Sequence, residues 1–309
     1  MAIRGDLMRA VTVSDLGADP ELTDQPVPEP GQGEVLVRMS AAGLNPFDWK
    51  VIDGAVPDTV FPLVVGTDGA GIVERAGPGV TGFRQGDPVF GQFGDPRRGR
   101  GSYAEHAVAA VDAIAPPPRT IALSEAAAVP TAGTTALNLV DRIGHAERLL
   151  IVGATGGVGT FATQLAAARG ITVVATASPD KADLMRALGA AEIVDPDAGP
   201  LVDQVAAPVN AVIDLVSDTP GLRDLLPAVR PGATVLSPVF SVPEEGLPGV
   251  EADNFLNQAG TDRLERLARE IDAGHVRVLI GDTVTLPQAP DALAHSRTGR
   301  ARGKTVIVI

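Results

Sequence analysis

Residues 148–178 read RLLIVGATGGVGTFATQLAAARGITVVATAS, and this stretch decides the fold. An apolar strand over 149–152 leads into the glycine turn GATGGVG (153–159), which opens a helix and is followed by a second apolar strand. A strand, a glycine turn, a helix and a strand form a βαβ unit. Glycines in such a turn let the backbone approach a pyrophosphate, and the free N–H groups of the first helical turn meet the anion. The segment therefore predicts a dinucleotide site.

The glycine spacing in this turn is G-x-x-G-x-x-G, at Gly153, Gly156 and Gly159, rather than the commoner G-x-G-x-x-G. A glycine turn with a purely structural role is the alternative interpretation. If the turn binds a dinucleotide, the contacts come from the loop and from the end of the second strand. The expected contact residues are Ala154, Thr155, Gly156, Gly157, Val158 and Thr176.

The end of the second strand bears on which nicotinamide cofactor is used. NAD-specific proteins usually place an acid there, whereas residues 175–181 read ATASPDK. An acid ~4 Å from a 2′-phosphate would cost about 4 kcal/mol at an effective dielectric of 20, so its absence permits NADP. Ser178 and Lys181 are candidates to bind that phosphate, although Asp180 lies between them. A solvated Lys181 in the first turn of a helix is the alternative.

On either side of this unit the chain changes character. Between 119 and 274 helical segments alternate with the strands AEIVD, NAVIDLV and ATVLSPV, which predicts a parallel sheet. Residues 1–118 read as short strands interrupted by glycine and proline, as in a compact barrel. The chain returns to strands after 275, and the closing GKTVIVI (303–309) is expected to rejoin the amino-terminal barrel. We expect two domains.

Composition excludes several classes of protein. A formal charge of −13 opposes binding to a phosphate backbone, so we expect no nucleic-acid partner. No run of about 18 apolar residues predicts a membrane span, and we expect a cytoplasmic protein. The chain has no cysteine and four histidines, which removes disulfides, thiolate catalysis and every zinc site that needs sulfur. None of the histidines forms a short metal-ligand pair, and we expect no metal.

Several blocks resemble, in order and spacing, the zinc-independent, zeta-crystallin-like quinone oxidoreductase branch of the medium-chain dehydrogenase/reductase superfamily. They include AAGLNPFDWKVIDG (41–54), GSYAEHAV (101–108), EAAAVPTAGTTAL (125–137) and the glycine turn itself. The resemblance covers essentially the whole chain. It implies an α/β protein in which a doubly wound Rossmann domain, residues 119–274, is inserted into a GroES-like β-barrel catalytic domain, residues 1–118 and 275–309.

The resemblance also bears on metal and cofactor. Zinc-dependent relatives carry a cysteine where this chain has Asn45, and a His-Glu pair where it has Thr67 and Asp68. The resemblance thus implies a zinc-free site in which Asn45 lies beside the nicotinamide of NADPH. It assigns further cofactor contacts to Thr131, Thr134, Val216, Ser237, Pro238, Val239 and Lys304.

Hydride transfer without a metal requires groups that stabilise charge on the substrate oxygen. Asn45 and Lys50 are candidates for that role, and Asp48, Lys50 and Tyr103 are candidate proton donors. Each has a plainer alternative. Asp48 caps a helix that starts after Asn45, Lys50 points to solvent, and Tyr103 is a barrel residue with a satisfied hydroxyl.

Three functions remain open at this level. The first is an NADPH-dependent quinone oxidoreductase that reduces a small-molecule quinone or a similar conjugated carbonyl. The second is an enoyl or 2-alkenal double-bond reductase, which would profit from a positioned proton donor. The third is a nucleotide-binding sensor or structural protein with little turnover. A homodimer is what the resemblance implies for the assembly.

Overall fold

The computed structural model describes residues 7–299 and 303–309. These residues fall into two compact units. The first contains the described part of Met1–Ala132 together with Ala259–Asp272 and Val278–Ile309. The second contains Gly133–Gln258 and Ala273–Arg277.

The strands of the described residues are short. They are β1 (Leu7–Val13), β2 (Glu21–Pro26), β3 (Glu34–Leu44), β4 (Leu63–Val64), β5 (Asp68–Ala76), β6 (Pro88–Gln92), β7 (His106–Ala110), β8 (Ile114–Ala115), β9 (Arg148–Val152), β10 (Thr172–Thr176), β11 (Ala190–Val194), β12 (Val209–Asp214), β13 (Val229–Ser237), β14 (Glu251–Asn254), β15 (Ile280–Thr285) and β16 (Lys304–Val308).

The helices connect and cover these strands. They are α1 (Pro46–Ile52), α2 (Leu123–Ala126), α3 (Pro130–Arg142), α4 (Gly157–Ala168), α5 (Ala182–Ala187), α6 (Leu201–Gln204), α7 (Thr219–Asp224), α8 (Thr261–Asp272) and α9 (Ala289–Arg297).

The second unit is built on a six-stranded parallel sheet. Its strands are ordered β11-β10-β9-β12-β13-β14, which in order of appearance is the Rossmann arrangement 3-2-1-4-5-6. The central strand β9 is buried from Leu149 to Val152. Such a continuous apolar run is expected when both faces of a parallel sheet are covered. The core includes Leu150, Val174 and Val212.

The first unit contains two sheets. One has the order β2-β1-β4, and the other has the order β15-β16-β3-β5-β6-β8, with β7 also paired to β3. β3 is the centre of the larger sheet because it pairs antiparallel with β5, β7 and β16. The predicted return of the last strand to the amino-terminal part of the chain is confirmed by the pairing of β16 with β3.

The predicted fold class, a doubly wound Rossmann sheet with a separate β-rich part, is confirmed. The predicted domain boundaries differ from the compact units. Segments 119–132 and 259–272, assigned from sequence to the Rossmann domain, belong to the first unit. The reason is packing, since α2 contacts β3 and β5, and α8 contacts β8. The assignment of the two functional domains to 119–274 and the flanking residues stays a prediction.

Candidate active site

The carboxyl ends of the parallel strands lie at one edge of the six-stranded sheet. β9 ends at Val152, β10 at Thr176, β12 at Asp214 and β13 at Ser237. The order of connection reverses between β9 and β12, which pair directly. Ligands of open α/β sheets bind outside the strand ends at such a switch point. The glycine turn follows β9 and therefore lies where the sequence predicts a cofactor site.

The glycines of this turn have different roles. Gly153 has a left-handed φ of +81°, and a Cβ there would lie 2.7 Å from Cγ1 of Val216. A Cβ at Gly159 would lie 2.5 Å from Cα of Ala154. At Gly156 a Cβ would meet only the Gly153 carbonyl, at 3.4 Å. Gly153 and Gly159 thus permit the turn and the close packing of α4, whereas the exposed Gly156 leaves the amino terminus of α4 open to an anion.

Thr176, an expected cofactor contact, supports the glycine turn from behind. Its hydroxyl accepts hydrogen bonds from the backbone N–H of Gly153 at 2.8 Å and of Ala154 at 3.4 Å. The side chain is buried. The structure therefore gives Thr176 the role of holding the loop that would meet the pyrophosphate.

The residues after β10 form the side of the site expected to meet the 2′-position of the ribose. The Ser178 hydroxyl donates to Oδ1 of Asp180 at 2.6 Å, and both side chains lie in a short 3-10 turn with Lys181. Lys181 is half-buried. The three residues are together, but the Ser178 hydroxyl already has a carboxylate partner.

Three expected contacts, Val216, Pro238 and Val239, lie in the loops after β12 and β13 and are at least partly exposed. Val216 is 65% exposed. Pro238 and Val239 are half-buried, and the adjacent Phe240 is 60% exposed with a left-handed φ of +64°. A non-glycine residue in this conformation is strained, and such strain is often found at ligand sites.

Two other expected contacts turn inward. The Ser237 hydroxyl is buried and lies 2.7 Å from the Ser241 hydroxyl. The Thr134 hydroxyl is buried and accepts from Nδ2 of Asn257 at 2.9 Å. The remaining expected contacts lie within the glycine turn itself. Ala154 is buried there, and Thr155, Gly157 and Val158 are half-buried.

The first unit holds a group of buried and half-buried polar side chains that are distant in sequence, which we call the Asn45 cluster. The strand register creates it, because β3 pairs Gly43 with Asp68 of β5 and Leu44 with Thr305 of β16. The residue after β3 and the first residue of β16 are therefore neighbours. The cluster comprises Asn45, Asp48, Thr67, Asp68, Gln92, Tyr103, Thr131 and Lys304.

Asp68 is the acceptor at the centre of this cluster. Its carboxylate accepts from the Thr131 hydroxyl at 2.6 Å, from the Thr131 backbone N–H at 2.9 Å and from Nδ2 of Asn45 at 2.9 Å. The Thr131 hydroxyl in turn accepts from Nε2 of Gln92 at 2.8 Å. Asp68 is fully buried. Thr131 is thus tied to Asp68 by both its backbone and its side chain.

The Asn45 amide is engaged on both sides. Nδ2 donates to Asp68 and, at 3.3 Å, to the Gly43 carbonyl, while Oδ1 accepts from Nζ of Lys304 at 2.6 Å. Lys304 also donates to the Leu44 carbonyl at 2.8 Å and is 4% exposed. The ammonium predicted to contact cofactor is therefore packed inside the cluster.

Asp48 combines helix capping with a second set of bonds. Asn45 precedes α1, and its backbone N–H donates to Oδ2 of Asp48 at 2.8 Å. The Tyr103 hydroxyl donates to the same oxygen at 2.7 Å, and the Thr67 hydroxyl donates to Oδ1 at 3.0 Å. Asp48 is 2% exposed, and Tyr103 is fully buried. Asp48 therefore caps α1, and the buried Tyr103 hydroxyl has a hydrogen-bond partner.

Burial controls the ionisation of the cluster. It raises the pKa of the Asp48 carboxyl to about 6, against the three hydrogen bonds that this carboxyl accepts. It also raises the pKa of Asp68, although the Lys304 ammonium opposes the change, and it lowers the pKa of Lys304. Burial and the Asp48 carboxylate together raise the pKa of Tyr103 well above its ordinary value. Asp48 can hold a proton near neutral pH, whereas Tyr103 keeps its own.

Lys50 lies apart from this cluster. Its side chain is exposed, and its ammonium lies 5.8 Å from the centre of the Trp49 ring. The structure therefore brings Asn45, Asp48 and Tyr103 together but not Lys50.

Sequence reasoning did not assign site roles to Thr67, Asp68 and Gln92. Asp68 had a visible signal, since it is an acid between threonine and glycine at the start of a strand that continues with the uncharged run GAGIV. Gln92 had none, because its contact with Thr131 depends on how two distant segments pack.

The donor set of the cluster does not fit a zinc ion. Residues 7–299 and 303–309 contain no group of three or more histidine, cysteine, aspartate or glutamate side chains that could hold a metal. Within the Asn45 cluster the Lys304 ammonium lies 2.6 Å from the Asn45 amide oxygen and 4.0 Å from the Asp68 carboxylate, so a second cation has no place there. No described helix has the length and apolar character needed to cross a membrane.

Two family profiles match the chain. The Alcohol dehydrogenase GroES-like domain matches residues 31–119, and the Zinc-binding dehydrogenase family matches residues 188–307. Among solved structures, the quinone oxidoreductase from Coxiella burnetii superposes with a TM-score of 0.90 and 28% identity, covering 98% of this chain and 100% of that one.

Curated relatives agree with these matches. The chloroplastic quinone oxidoreductase QR1 of Triphysaria versicolor is 32% identical over 98% of this chain and 99% of its own length. The 2-methylene-furan-3-one reductase of Solanum lycopersicum is 29% identical over 97% of this chain and 79% of its own length. With its Rossmann sheet, its GroES-like part and relatives that match from end to end, this oxidoreductase belongs to the quinone oxidoreductase branch of the medium-chain dehydrogenase/reductase superfamily.

Proposed function

We propose that the protein is an NADPH-dependent, zinc-independent quinone oxidoreductase that reduces a quinone or a similar conjugated carbonyl. The observation that carries the proposal is the burial of its acids, since Asp48 and Tyr103 are bonded to each other inside the Asn45 cluster. A reaction that needs a positioned proton donor would expose such a group. Quinone reduction needs none, because the hydroquinone product stabilises its own charge and takes protons from water.

The cofactor would be held by the edge of the six-stranded sheet. The backbone around Gly156 and the amino terminus of α4 suit a pyrophosphate, because no side chain fills that space. Exposed Val216 and the half-buried Pro238 and Val239 would pack against the rings. A bound reduced nicotinamide would supply the hydride.

The preference for NADPH is supported by the end of β10. The strand ends without an acid, and Asp180 is bonded to Ser178 rather than standing alone at the strand tip. Lys181 is the cation available to a 2′-phosphate on this turn. We expect Lys181→Ala to raise the KM for NADPH about tenfold and to leave the KM for NADH nearly unchanged, because an ion pair to phosphate contributes on the order of 1–2 kcal/mol.

Zinc independence is supported by the chemistry of the donors. The chain has no cysteine. Asn45 is hydrogen-bonded to Asp68 and Lys304, and Thr67 is hydrogen-bonded to Asp48, so these side chains do not converge as metal ligands. Stable zinc sites use deprotonated thiolate, imidazole or carboxylate ligands in a tetrahedral set.

Reduction of an activated carbon–carbon double bond is the second candidate. It is supported by the reductase relative from Solanum lycopersicum and by the raised pKa of the Asp48 carboxyl, about 6, which lets that group carry a proton near neutrality. Hydride would then go to the β-carbon and a proton to the α-carbon of the substrate.

The deciding experiment is anaerobic oxidation of NADPH, and in parallel of NADH, with benzoquinone, phenanthrenequinone and hexenal as acceptors. A chelator is present throughout, and zinc content is measured by elemental analysis. Rapid, chelator-resistant turnover of the quinones with NADPH is the expected result. Turnover of hexenal alone moves the assignment to a double-bond reductase, and chelator-sensitive turnover removes zinc independence.

The assembly and the compartment are part of the same proposal. We propose a homodimer, as the family resemblance implies, and a cytoplasmic location. Sedimentation equilibrium of the purified protein tests the first point, since a dimer has twice the 31.6 kDa mass of the chain. Localisation of the tagged, full-length protein in cells tests the second.

A further inference from the structure

The Asn45 cluster buries more acid than base. Asp48 and Asp68 are both nearly inaccessible, and an unpaired buried carboxylate is strongly disfavoured. The chain has three lysines, Lys50, Lys181 and Lys304. Lys304 is the one that is buried, and its ammonium lies 4.0 Å from Oδ2 of Asp68.

The contacts of Lys304 also determine how Asn45 is oriented. A lysine side chain only donates hydrogen bonds, and a carboxylate only accepts them. Lys304 bonds to one end of the Asn45 amide and Asp68 to the other, so the oxygen must face Lys304 and the nitrogen must face Asp68. An amide flip would place N–H groups against the ammonium and an oxygen against the carboxylate.

We propose that the Lys304 ammonium is a resident cation of this site, which neutralises Asp68 and fixes the Asn45 amide in one orientation for the reaction. Lys304 acts through Asn45 and is a positioning residue. The part of this inference that concerns the reaction rests on the proposed function, because it takes Asn45 to border the nicotinamide.

The position of Lys304 in the fold suits this role. It is the first residue of β16, and the pairing of Thr305 with Leu44 places its side chain beside the end of β3. The second bond, to the Leu44 carbonyl at 2.8 Å, holds the ammonium at the residue that precedes Asn45. The cation is thus anchored to the same backbone that carries the amide it orients.

Kinetics separate positioning from simple charge balance. Lys304→Met keeps the length of the side chain and removes the charge, and we expect kcat to fall about 10- to 100-fold with little change in the KM for NADPH, as for a displaced reactive geometry. The double variant K304M/D68N removes both buried charges. We expect K304M to be less stable against urea than the wild type. The double variant should recover most of that stability but not kcat. Recovery of both would show that Lys304 only balances charge, and would overturn the proposal.

A second measurement needs no turnover and so separates this inference from the proposed function. With ¹⁵N-labelled lysine, we expect one ammonium signal at neutral pH that exchanges slowly with water and disappears in K304M, since Lys304 is hydrogen-bonded and buried. With ¹⁵N-labelled asparagine, one side-chain NH₂ pair should shift in K304M. A neutral amine, or an ammonium that exchanges as fast as those of Lys50 and Lys181, contradicts the inference even if quinone turnover is found.

The matched control is Arg75→Met, which removes an exposed cation of β5 that pairs with Glu29 on the surface. We expect it to leave kcat, the lysine signals and the asparagine signals unchanged. If the wild-type protein turns over no quinone while Lys304 shows the slow ammonium signal and K304M shifts the Asn45 pair, the proposed function fails and the resident cation stands.

Discussion

The Asp48 carboxyl accepts three hydrogen bonds, yet its pKa rises from 3.8 to about 6 because burial removes it from water. Buried Asp68 opposes its ionisation, while the hydroxyl of Tyr103 and the ammonium of Lys304 favour it. Between pH 3.8 and about 6, the native state therefore keeps a proton on Asp48 that the unfolded chain has released. By linkage, the free energy of unfolding should decrease as pH rises from about 4 to about 6 and then level off. The total decrease should be about 3 kcal/mol, at ~1.4 kcal/mol per pKa unit.

The variant that tests this prediction is Asp48→Asn, which nearly preserves shape and can still accept from Asn45 and Tyr103 while donating to Thr67. The free energy of unfolding in urea, measured from pH 4 to pH 7, should fall less steeply with rising pH in D48N than in the wild type. Parallel curves for the two proteins would mean that Asp48 titrates normally in the native state.

Helix α4 depends on a close approach to the glycine turn that precedes it. A Cβ at Gly159 would lie 2.5 Å from both the Gly153 carbonyl oxygen and Cα of Ala154, so Gly159→Ala forces backbone atoms apart. We expect this variant to lose about 1–3 kcal/mol of unfolding free energy, the usual cost of overpacking. Gly156→Ala is the control, because its Cβ would make one ordinary contact and its φ of −77° suits any residue.

The one tryptophan and the one tyrosine of the chain, Trp49 and Tyr103, lie outside the second unit. Unfolding of that unit in urea is therefore best followed by circular dichroism. The expected order of stability is wild type, then G156A within about 1 kcal/mol, then G159A. Equal stability of the two variants would show that α4 can shift away from β9 at no cost.

The elements that were predictable from sequence are those whose burial pattern is local. The apolar run of β9, the turn and α4 predict a βαβ unit because each signal lies within a few residues. The polar edge strand β2 lacks the alternating apolar residues that would signal a strand, and it forms because β1 offers a partner along Leu7–Thr12. A short edge strand such as β14 likewise depends on pairing with β13.

The candidate site also contains some positions that local sequence predicts and others that only the packing of distant segments determines. The Gly156 position follows from spacing alone, since only the backbone is needed to meet an anion. The register of β16 against β3 places the Lys304 ammonium on Asn45, a contact that the sequence does not show, and its contact with the cofactor stays a prediction. Thr176 and Ser237 lie at strand ends, where their hydroxyls bond to the Gly153 backbone N–H and the Ser241 hydroxyl, and their cofactor contacts stay predictions. Side-chain direction at a strand end is set by packing, which a single sequence does not display.

The whole molecule carries a net charge of −13, and its proposed cofactor is an anion. Long-range repulsion should therefore slow the association of NADPH at low ionic strength. Added salt shortens the Debye length from about 30 Å at 0.01 M to about 10 Å at 0.1 M, which screens this repulsion. We expect the association rate constant of NADPH, followed by stopped-flow fluorescence of the cofactor, to rise over this range.

NADH, with no 2′-phosphate, should respond less to salt, and an uncharged quinone should not respond at all. These two ligands are the controls for effects of salt on the protein itself. A rate constant for NADPH that falls with salt would mean that local cations at the site, Lys181 first among them, outweigh the net charge. If Lys181 causes such a fall, the rate constant of Lys181→Ala should instead rise with salt. Removing this cation leaves only the repulsive field of the whole molecule.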